Sequence, residues 1–296
     1  MHIDQILKKK KTLSFEIFPP KNKTGDISSI YHTVEALKDL HPDFISVTYG
    51  SGGSTIGKTL EIADVIKNTY GIEPMAHLTS IVSTKEDVDA FCTCLKESHV
   101  DNILALRGDM PLDDSVVCPK QFSYATDLIT HIKKQFADDF CLAGACYPEV
   151  HQEADCFEND LKALKAKVDA GATFVITQIF YDNNYYYRLV REARKMGIDV
   201  PILAGIMPAL NAKQLLRTTR MCGCTVPFEL STRIEKYYYN DEAMQEVGIS
   251  YAVNQIIDLI ANGVDGLHIY TMNKPEIAKN IFAQIPHILK DFYNYD

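Results

Sequence analysis

The chain has 296 residues, 46% of them hydrophobic and 23% charged, with a formal net charge of -9 and a pI near 5.5. That hydrophobic share can fill a sizeable core and excludes a disordered chain, while the acidic balance gives no general attraction to nucleic acid or an anionic membrane. No stretch approaches the roughly 20 apolar residues that cross a bilayer, and residues 1–11 carry no apolar leader core, so a cytoplasmic protein without a membrane or nucleic-acid partner is expected.

The basic run Lys8 to Lys11 reads as a solvated, mobile terminus. Apolar runs then follow at Leu13–Phe18, Phe44–Val47, Pro74–Leu78, Ile103–Leu106, Cys141–Tyr147, Phe174–Ile179, Val200–Ile206 and Gly266–Tyr270. They are short and lack strict alternation, as strands covered on both faces do. The intervening segments carry helical spacing, clearest in Phe157, Leu161, Leu164 and Val168, and again in Ile249, Val253, Ile256 and Ile260. Gly71, Gly171, Gly197 and Gly263 stand where a helix should end and the chain turn toward the next apolar run. Val226–Asp241, polar and rich in tyrosine, reads as a long connection before the last helix–strand–helix unit.

Strands alternating with helices form either an open doubly wound sheet or a closed barrel. No apolar run leads into G-x-G-x-x-G or G-x-x-x-x-G-K-[ST], the loops that would favour the open sheet. A (β/α)8 TIM barrel, one domain spanning residues 1–296, is the preferred reading. Its active site should gather polar residues at the C-terminal ends of the strands. Glu16 ends the first run, Thr48 and Tyr49 the second, His77 the third and Arg107-Gly108-Asp109 the fourth. Tyr147 and His151 follow the fifth, Gln178 closes the sixth, and His268 with Tyr270 marks the eighth.

A carboxylate inside Leu13–Phe18 is costly to bury unless it is paired or protonated, so Glu16 is either a general acid or half of an ion pair with a Lys or Arg. Arg107 and Asp109 read equally as a local loop salt bridge or, with Gly108 between them, as a loop lying against a flat ring system. Gly50–Ser54 reads as a phosphate cradle or a flexible lid. His77 and His151 lack a neighbouring ligand at metal-binding spacing and read as hydrogen-bonding groups. The eight cysteines are dilute, and neither Cys92-x-Cys94 nor Cys222-x-Cys224 has the spacing of a zinc site, so free thiols and no metal are expected.

Phe15-Glu16-Ile17-Phe18-Pro19-Pro20, Ser46-Val47-Thr48-Tyr49-Gly50, Ala76-His77-Leu78-Thr79, Leu106-Arg107-Gly108-Asp109, Tyr147-Pro148-Glu149-Val150-His151, Thr177-Gln178 and Tyr270-Thr271-Met272-Asn273 occur in that order along the chain. Together they resemble the methylenetetrahydrofolate reductase family of flavoproteins, in its short bacterial form without a regulatory domain. The resemblance implies a barrel that holds FAD and reduces 5,10-methylenetetrahydrofolate to 5-methyltetrahydrofolate in two half-reactions, with NADH or NADPH as donor, in the one-carbon metabolism that supplies methionine. It implies Glu16 and Asp109 as the catalytic pair, with Glu16 helping to open the methylene bridge. Carried over by position, the flavin would contact Thr48, Tyr49, Ser51, His77, Arg107, Gly108, Asp109, Tyr124, Ala125, Ala145, Tyr147, His151, Ala154, Asp160 and Lys167. Asp109, Gln178, Gln214 and Lys274 would contact the folate, with Gln178 also serving the nicotinamide, and a homo-oligomer is expected. The chain departs from the family pattern at Ala163 and Ala166, where asparagine and arginine are familiar, and at Lys274, where arginine would grip a carboxylate bidentately. A flavin-carrying subunit of a multi-protein reductase and a proline-dehydrogenase-like flavin barrel remain open alternatives.

Overall fold

The computed structural model describes residues 1–20, 27–49, 56–111 and 118–293. Its strands are β1 (Thr12–Ile17), β2 (Phe44–Val47), β3 (Glu73–Thr79), β4 (Asn102–Leu106), β5 (Cys141–Cys146), β6 (Phe174–Thr177), β7 (Ile202–Ile206) and β8 (Gly266–Tyr270). All neighbouring pairs are parallel, and β8 closes on β1, giving the expected barrel.

The two faces of β1 show why these strands lack a polar stripe. Leu13, Phe15 and Ile17 point outward and are fully buried beneath helices, in one cluster with Ile30, Val34 and Leu37 of the helix Ser28–Lys38 and with Ile277 and Ile281 of Pro275–Ala283. The Phe15 ring meets Phe282 edge-on at 6.1 Å. The alternate residues Ser14 and Glu16 face the barrel interior. Ser14 lies beside Phe44 and His268, and Glu16 beside Ser46 and Tyr270. Deeper in the interior, Phe44, Met75, Leu104, Cys141, Ala143, Phe174, Ile176 and Leu203 form an apolar plug.

The amino-terminal segment completes that plug, which corrects the reading of a mobile tail. A short helix, Ile3–Leu7, places Ile3 in the interior cluster with no exposed surface. The Ile3 amide donates to Asn102 Oδ1 at 2.8 Å. The following lysines run along the base: Lys10 pairs with Asp43 at 2.6 Å and lies 5.3 Å above the Tyr293 ring, while Asp43 also accepts from the Leu13 amide. The apolar spacing of Ile3 and Leu7 outweighs the charge run that suggested a free end.

Gly71, Gly171, Gly197 and Gly263 all have positive φ, as helix-to-strand turns require. Three predicted strands end earlier, at Ile17, Cys146 and Thr177, leaving Phe18, Tyr147 and Gln178 just past the hydrogen-bonded ladder. Val200–Ile206 starts later, at Ile202, because Pro201 has no amide proton for the ladder. Val226–Asp241 is not a plain connection: Phe228–Tyr237 is a helix that begins after Pro227 and buries only Leu230 and Ile234. That stripe is one turn wide, too thin to stand out among polar and aromatic neighbours. The next helix, Asp241–Ala261, approaches the strand β7 exit so closely that a Cβ at Gly248 would lie 2.2 Å from the Ala209 carbonyl oxygen. No helix among the described residues is long and apolar enough to cross a membrane.

If Ile3 plugs the barrel, Ile3→Ala should destabilise the fold by about 2–4 kcal/mol. Lys9→Ala, on the exposed base, should stay within about 0.5 kcal/mol of the parent. Urea unfolding of the three proteins measures both.

Candidate active site

Above the apolar plug the interior becomes polar, because β1, β2, β3 and β8 each place a polar side chain at the next inward position. Glu16 is 7% exposed. Its Oε2 lies 3.5 Å from His77 Nε2 and 3.6 Å from His268 Nε2. Among the described residues no Lys or Arg pairs with it, and Lys21 and Lys23, the lysines nearest to it in sequence, lie outside the described residues.

The two imidazoles differ in their support. His268 Nδ1 lies 2.8 Å from Ser14 Oγ, and that hydroxyl also reaches the Leu267 carbonyl at 3.0 Å. With the single Ser14 proton on the carbonyl, Nδ1–H donates to Ser14, and Nε2 turns its lone pair toward Ser46 Oγ, 3.3 Å away, and Glu16. Phe44 stacks on the ring from below at 5.9 Å, and Tyr270 closes its edge at 5.4 Å. His77 Nε2 is buried without a hydrogen-bond partner. Burial pushes the His77 pKa down to about 4, opposed by the charge of Glu16 and reinforced by His268. At neutral pH His77 is uncharged.

The backbone around Glu16 is clamped by the strand β8 exit. The Glu16 carbonyl accepts from Thr271 Oγ1 at 2.7 Å, and the Asn273 side-chain amide both accepts from the Phe18 amide at 2.9 Å and donates to its carbonyl at 2.8 Å. Met272 and Asn273 adopt φ of 52° and 55° to make this turn. The Tyr270 hydroxyl crosses the mouth to donate to the Thr177 carbonyl at 2.8 Å. Only glycine permits that crossing, since a Cβ at Gly205 would lie 2.8 Å from the Tyr270 ring.

A second group occupies the exits of β4 and β5. Arg107 pairs bidentately with Glu153 rather than with Asp109, which is exposed at the rim. Gly108, at φ 84°, lets its loop lie against Thr79, where a Cβ would come within 3.0 Å. Lys167 donates to the Ala145 carbonyl and sits 5.9 Å from the centre of the Tyr147 ring, and burial lowers its pKa. Burial pushes the Tyr147 phenol up, and its ring meets His151 edge-on at 4.5 Å. Asp160, buried, accepts from the His151 amide at 2.9 Å.

The other expected residues are more dispersed. Thr48 and Tyr49 follow β2 half-buried, with Tyr49 packed edge-on to Phe91 at 6.0 Å. Tyr124, preceding the helix Ala125–Phe136, is 65% exposed; Ala125 and Ala154 are half-buried. The Gln178 carbonyl Oε1 accepts from the Ile179 amide. Gln214, on the helix Ala212–Cys222, and Lys274 are exposed at the rim; Ala163 and Ala166, further along the helix Phe157–Asp169, are exposed too. Ser51, with the rest of Gly50–Ser54, lies outside the described residues. Sequence reasoning missed the supporting roles of Ser14, Ser46, Thr271, Asn273 and Glu153. Ser14 alone carried a local signal, its two-residue spacing from Glu16.

The family model described as methylenetetrahydrofolate reductase matches residues 2–286. The chain belongs to that family. It is 37% identical over 267 residues to the 5,10-methylenetetrahydrofolate reductase of Pectobacterium carotovorum, covering 90% of this chain and 87% of that one. It is 38% identical over 283 residues to methylenetetrahydrofolate reductase (NADH) 1 of Arabidopsis thaliana, covering 92% of this chain and 48% of that one. The chain therefore spans about half the length of the plant relatives it matches. Among solved structures, a protein from Clostridium thermocellum described as binding two copies of 5-methyl-5,6,7,8-tetrahydrofolic acid has a TM-score of 0.65 at 13% identity, covering 98% of this chain and all of that one, a likeness of fold.

A neutral, buried His77 has a pH signature. Its folded pKa of about 4 lies below the ordinary histidine value of 6.5, so the unfolded chain binds a proton that the folded chain refuses between those values. Stability should therefore fall as pH drops through that window, by roughly 2 kcal/mol between pH 7 and pH 5 from this group. Urea unfolding of wild type and His77→Gln at both pH values should show the variant losing less stability on acidification, by that amount.

Proposed function

We propose that this chain reduces 5,10-methylenetetrahydrofolate to 5-methyltetrahydrofolate, taking electrons from a reduced nicotinamide through FAD, with the barrel acting as one catalytic unit. The observation that carries the reading is the carboxyl of Glu16, buried at the floor of the mouth between two imidazoles. Membership of the family over residues 2–286 and the similar length of the Pectobacterium reductase support it. The methyltetrahydrofolate described for the Clostridium barrel is consistent with a folate in such a mouth.

The second group fits a flavin. Lys167 is a half-buried ammonium that spends one donor on a carbonyl and keeps others for an anion, and His77 Nε2 is a buried nitrogen without a partner. Arg107, Tyr147, His151 and Asp160 would line the same ligand, with Thr48, Tyr49 and Ala145 beside the ring system. When bound, FAD supplies the two-electron carrier between nicotinamide and folate. Glu16 delivers a proton to the nitrogen that leaves as the methylene bridge opens, and its burial keeps bulk water from competing. His268, fixed by Ser14 and Phe44, holds the inner side of that carboxyl. Asp109 at the rim hydrogen-bonds the pterin, Gln178 shares its positioning, and Gln214 and Lys274 hold the outer part of the folate. Lys274 meets a carboxylate as a point charge.

The purified chain, held anaerobically with FAD, should be bleached by NADH or NADPH and regain its colour on addition of methylenetetrahydrofolate. A colourless protein that fails to take up FAD, or a bleached one that the folate leaves bleached, would overturn the reading.

A further inference from the structure

The layer beneath Glu16 selects one form of the His268 ring. His268 has no exposed surface and meets a buried hydroxyl at each ring nitrogen. Ser14 Oγ, 2.8 Å from Nδ1, commits its single proton to the Leu267 carbonyl at 3.0 Å, so it meets the ring only as an acceptor. Ser46 Oγ, 3.3 Å from Nε2, has no other partner among the described residues and is free to donate there. Both hydroxyls favour the same neutral ring, with N–H at Nδ1 and a lone pair at Nε2. Phe44, stacked on the ring, and Tyr270, against its edge, hold it in that orientation.

That lone pair faces Glu16. Its Oε2 lies 3.6 Å from His268 Nε2 and 3.5 Å from His77 Nε2, too long for hydrogen bonds but close enough for charge to be felt. A bare nitrogen repels a carboxylate oxygen and accepts from a carboxyl O–H, whereas an N–H at the same place would hold the carboxylate. Among the described residues, the titratable groups that face Glu16 are His77 from β3 and His268 and Tyr270 from β8, while β2 contributes Ser46. His77 is neutral at pH 7, and burial raises the Tyr270 phenol well above its ordinary range. With those two uncharged, the tautomer of His268 decides which form of the acid its surroundings prefer.

We infer that Ser14 is a positioning residue for the proton donor: by fixing the Nδ1–H form of His268 it turns a lone pair toward Glu16 and favours the proton on that acid. The kinetic effect rests on the folate-reductase reading, whereas the tautomer does not. Each turnover moves the proton from Glu16 to the nitrogen that leaves the methylene bridge, and solvent returns one once the product has left the mouth. Removing the Ser14 hydroxyl leaves Nδ1–H without its acceptor and lets the ring present Nε2–H to Glu16, the form that holds a carboxylate. A step that needs a protonated acid slows as pH rises through the titration of that acid, so without Ser14 the slowing should set in at lower pH.

The test reads the ring nitrogens of isotope-labelled histidine by NMR in the whole protein at neutral pH, with His268 assigned by the loss of its signals in His268→Gln. Stopped-flow mixing of the FAD-loaded, reduced enzyme with methylenetetrahydrofolate over a range of pH follows flavin reoxidation. Wild type should carry its His268 proton on Nδ1. Ser14→Ala should show Nε2–H and move the pH midpoint of reoxidation down by about one unit, the scale of one hydrogen bond to a charged group, while flavin reduction by nicotinamide stays within a few-fold of wild type. Ser14→Thr, which keeps the hydroxyl, should restore the tautomer and the wild-type midpoint. A wild-type ring protonated on Nε2, alone or together with Nδ1, overturns the inference, as does a Ser14→Ala rate that drops equally at every pH. Folate that leaves the wild-type flavin reduced would instead sink the functional reading, with the nitrogen signals still deciding the tautomer.

Discussion

A carboxyl group taken out of water must find partners inside the protein, and the upper layer of this barrel is arranged around that demand at Glu16. The period of a strand places Ser14 and Glu16 on one face, and the parallel register sets His268 beside Ser14 and Tyr270 beside Glu16. Ser14 fixes His268, His268 and His77 flank the acid, and Thr271 and Asn273 fasten the backbone on either side of Ile17. An apolar plug beneath, closed by Ile3, keeps this layer from opening toward the base of the barrel.

Two cationic groups at the strand exits, Arg107 and Lys167, are held by other partners than that acid. Arg107 is turned toward Glu153, and Lys167 is drawn to the Ala145 carbonyl. Had either reached Glu16, it would have held the carboxylate as an ion pair and made proton donation costly. Neutral His77 stands beside the acid without imposing a charge, because its own burial outweighs the pull of Glu16. The floor of the mouth is suited to proton transfer, and the β4–β5 side to an anionic, flat ligand.

Much of this was legible in the sequence, for identifiable reasons. The strands follow from short apolar runs punctuated by glycines, and polar strand ends located the mouth without any knowledge of the fold's interior. What stayed hidden depended on contacts between distant segments. Asn273 grips Phe18 from the opposite end of the chain, and Glu153 takes Arg107 from Asp109 across a loop. For Arg107 the local reading offered the nearby Asp109, and for Asn273 it offered no partner at all. Lys8 to Lys11 misled for a similar reason: their charge was visible, but the Asp43 and Tyr293 that receive Lys10 were not. The helix Phe228–Tyr237 buries too few residues to leave a pattern.

The central claim is that Glu16 serves the folate and not the flavin or the fold. Stopped-flow measurement of the two half-reactions in Glu16→Gln tests it most directly, since glutamine keeps the shape of the side chain and removes the transferable proton. Reduction of the bound flavin by nicotinamide should proceed within a few-fold of wild type, while reoxidation by methylenetetrahydrofolate should fall by roughly two to four orders of magnitude, the usual loss for a general acid. Equal loss of both half-reactions would make Glu16 a structural residue and contradict the account.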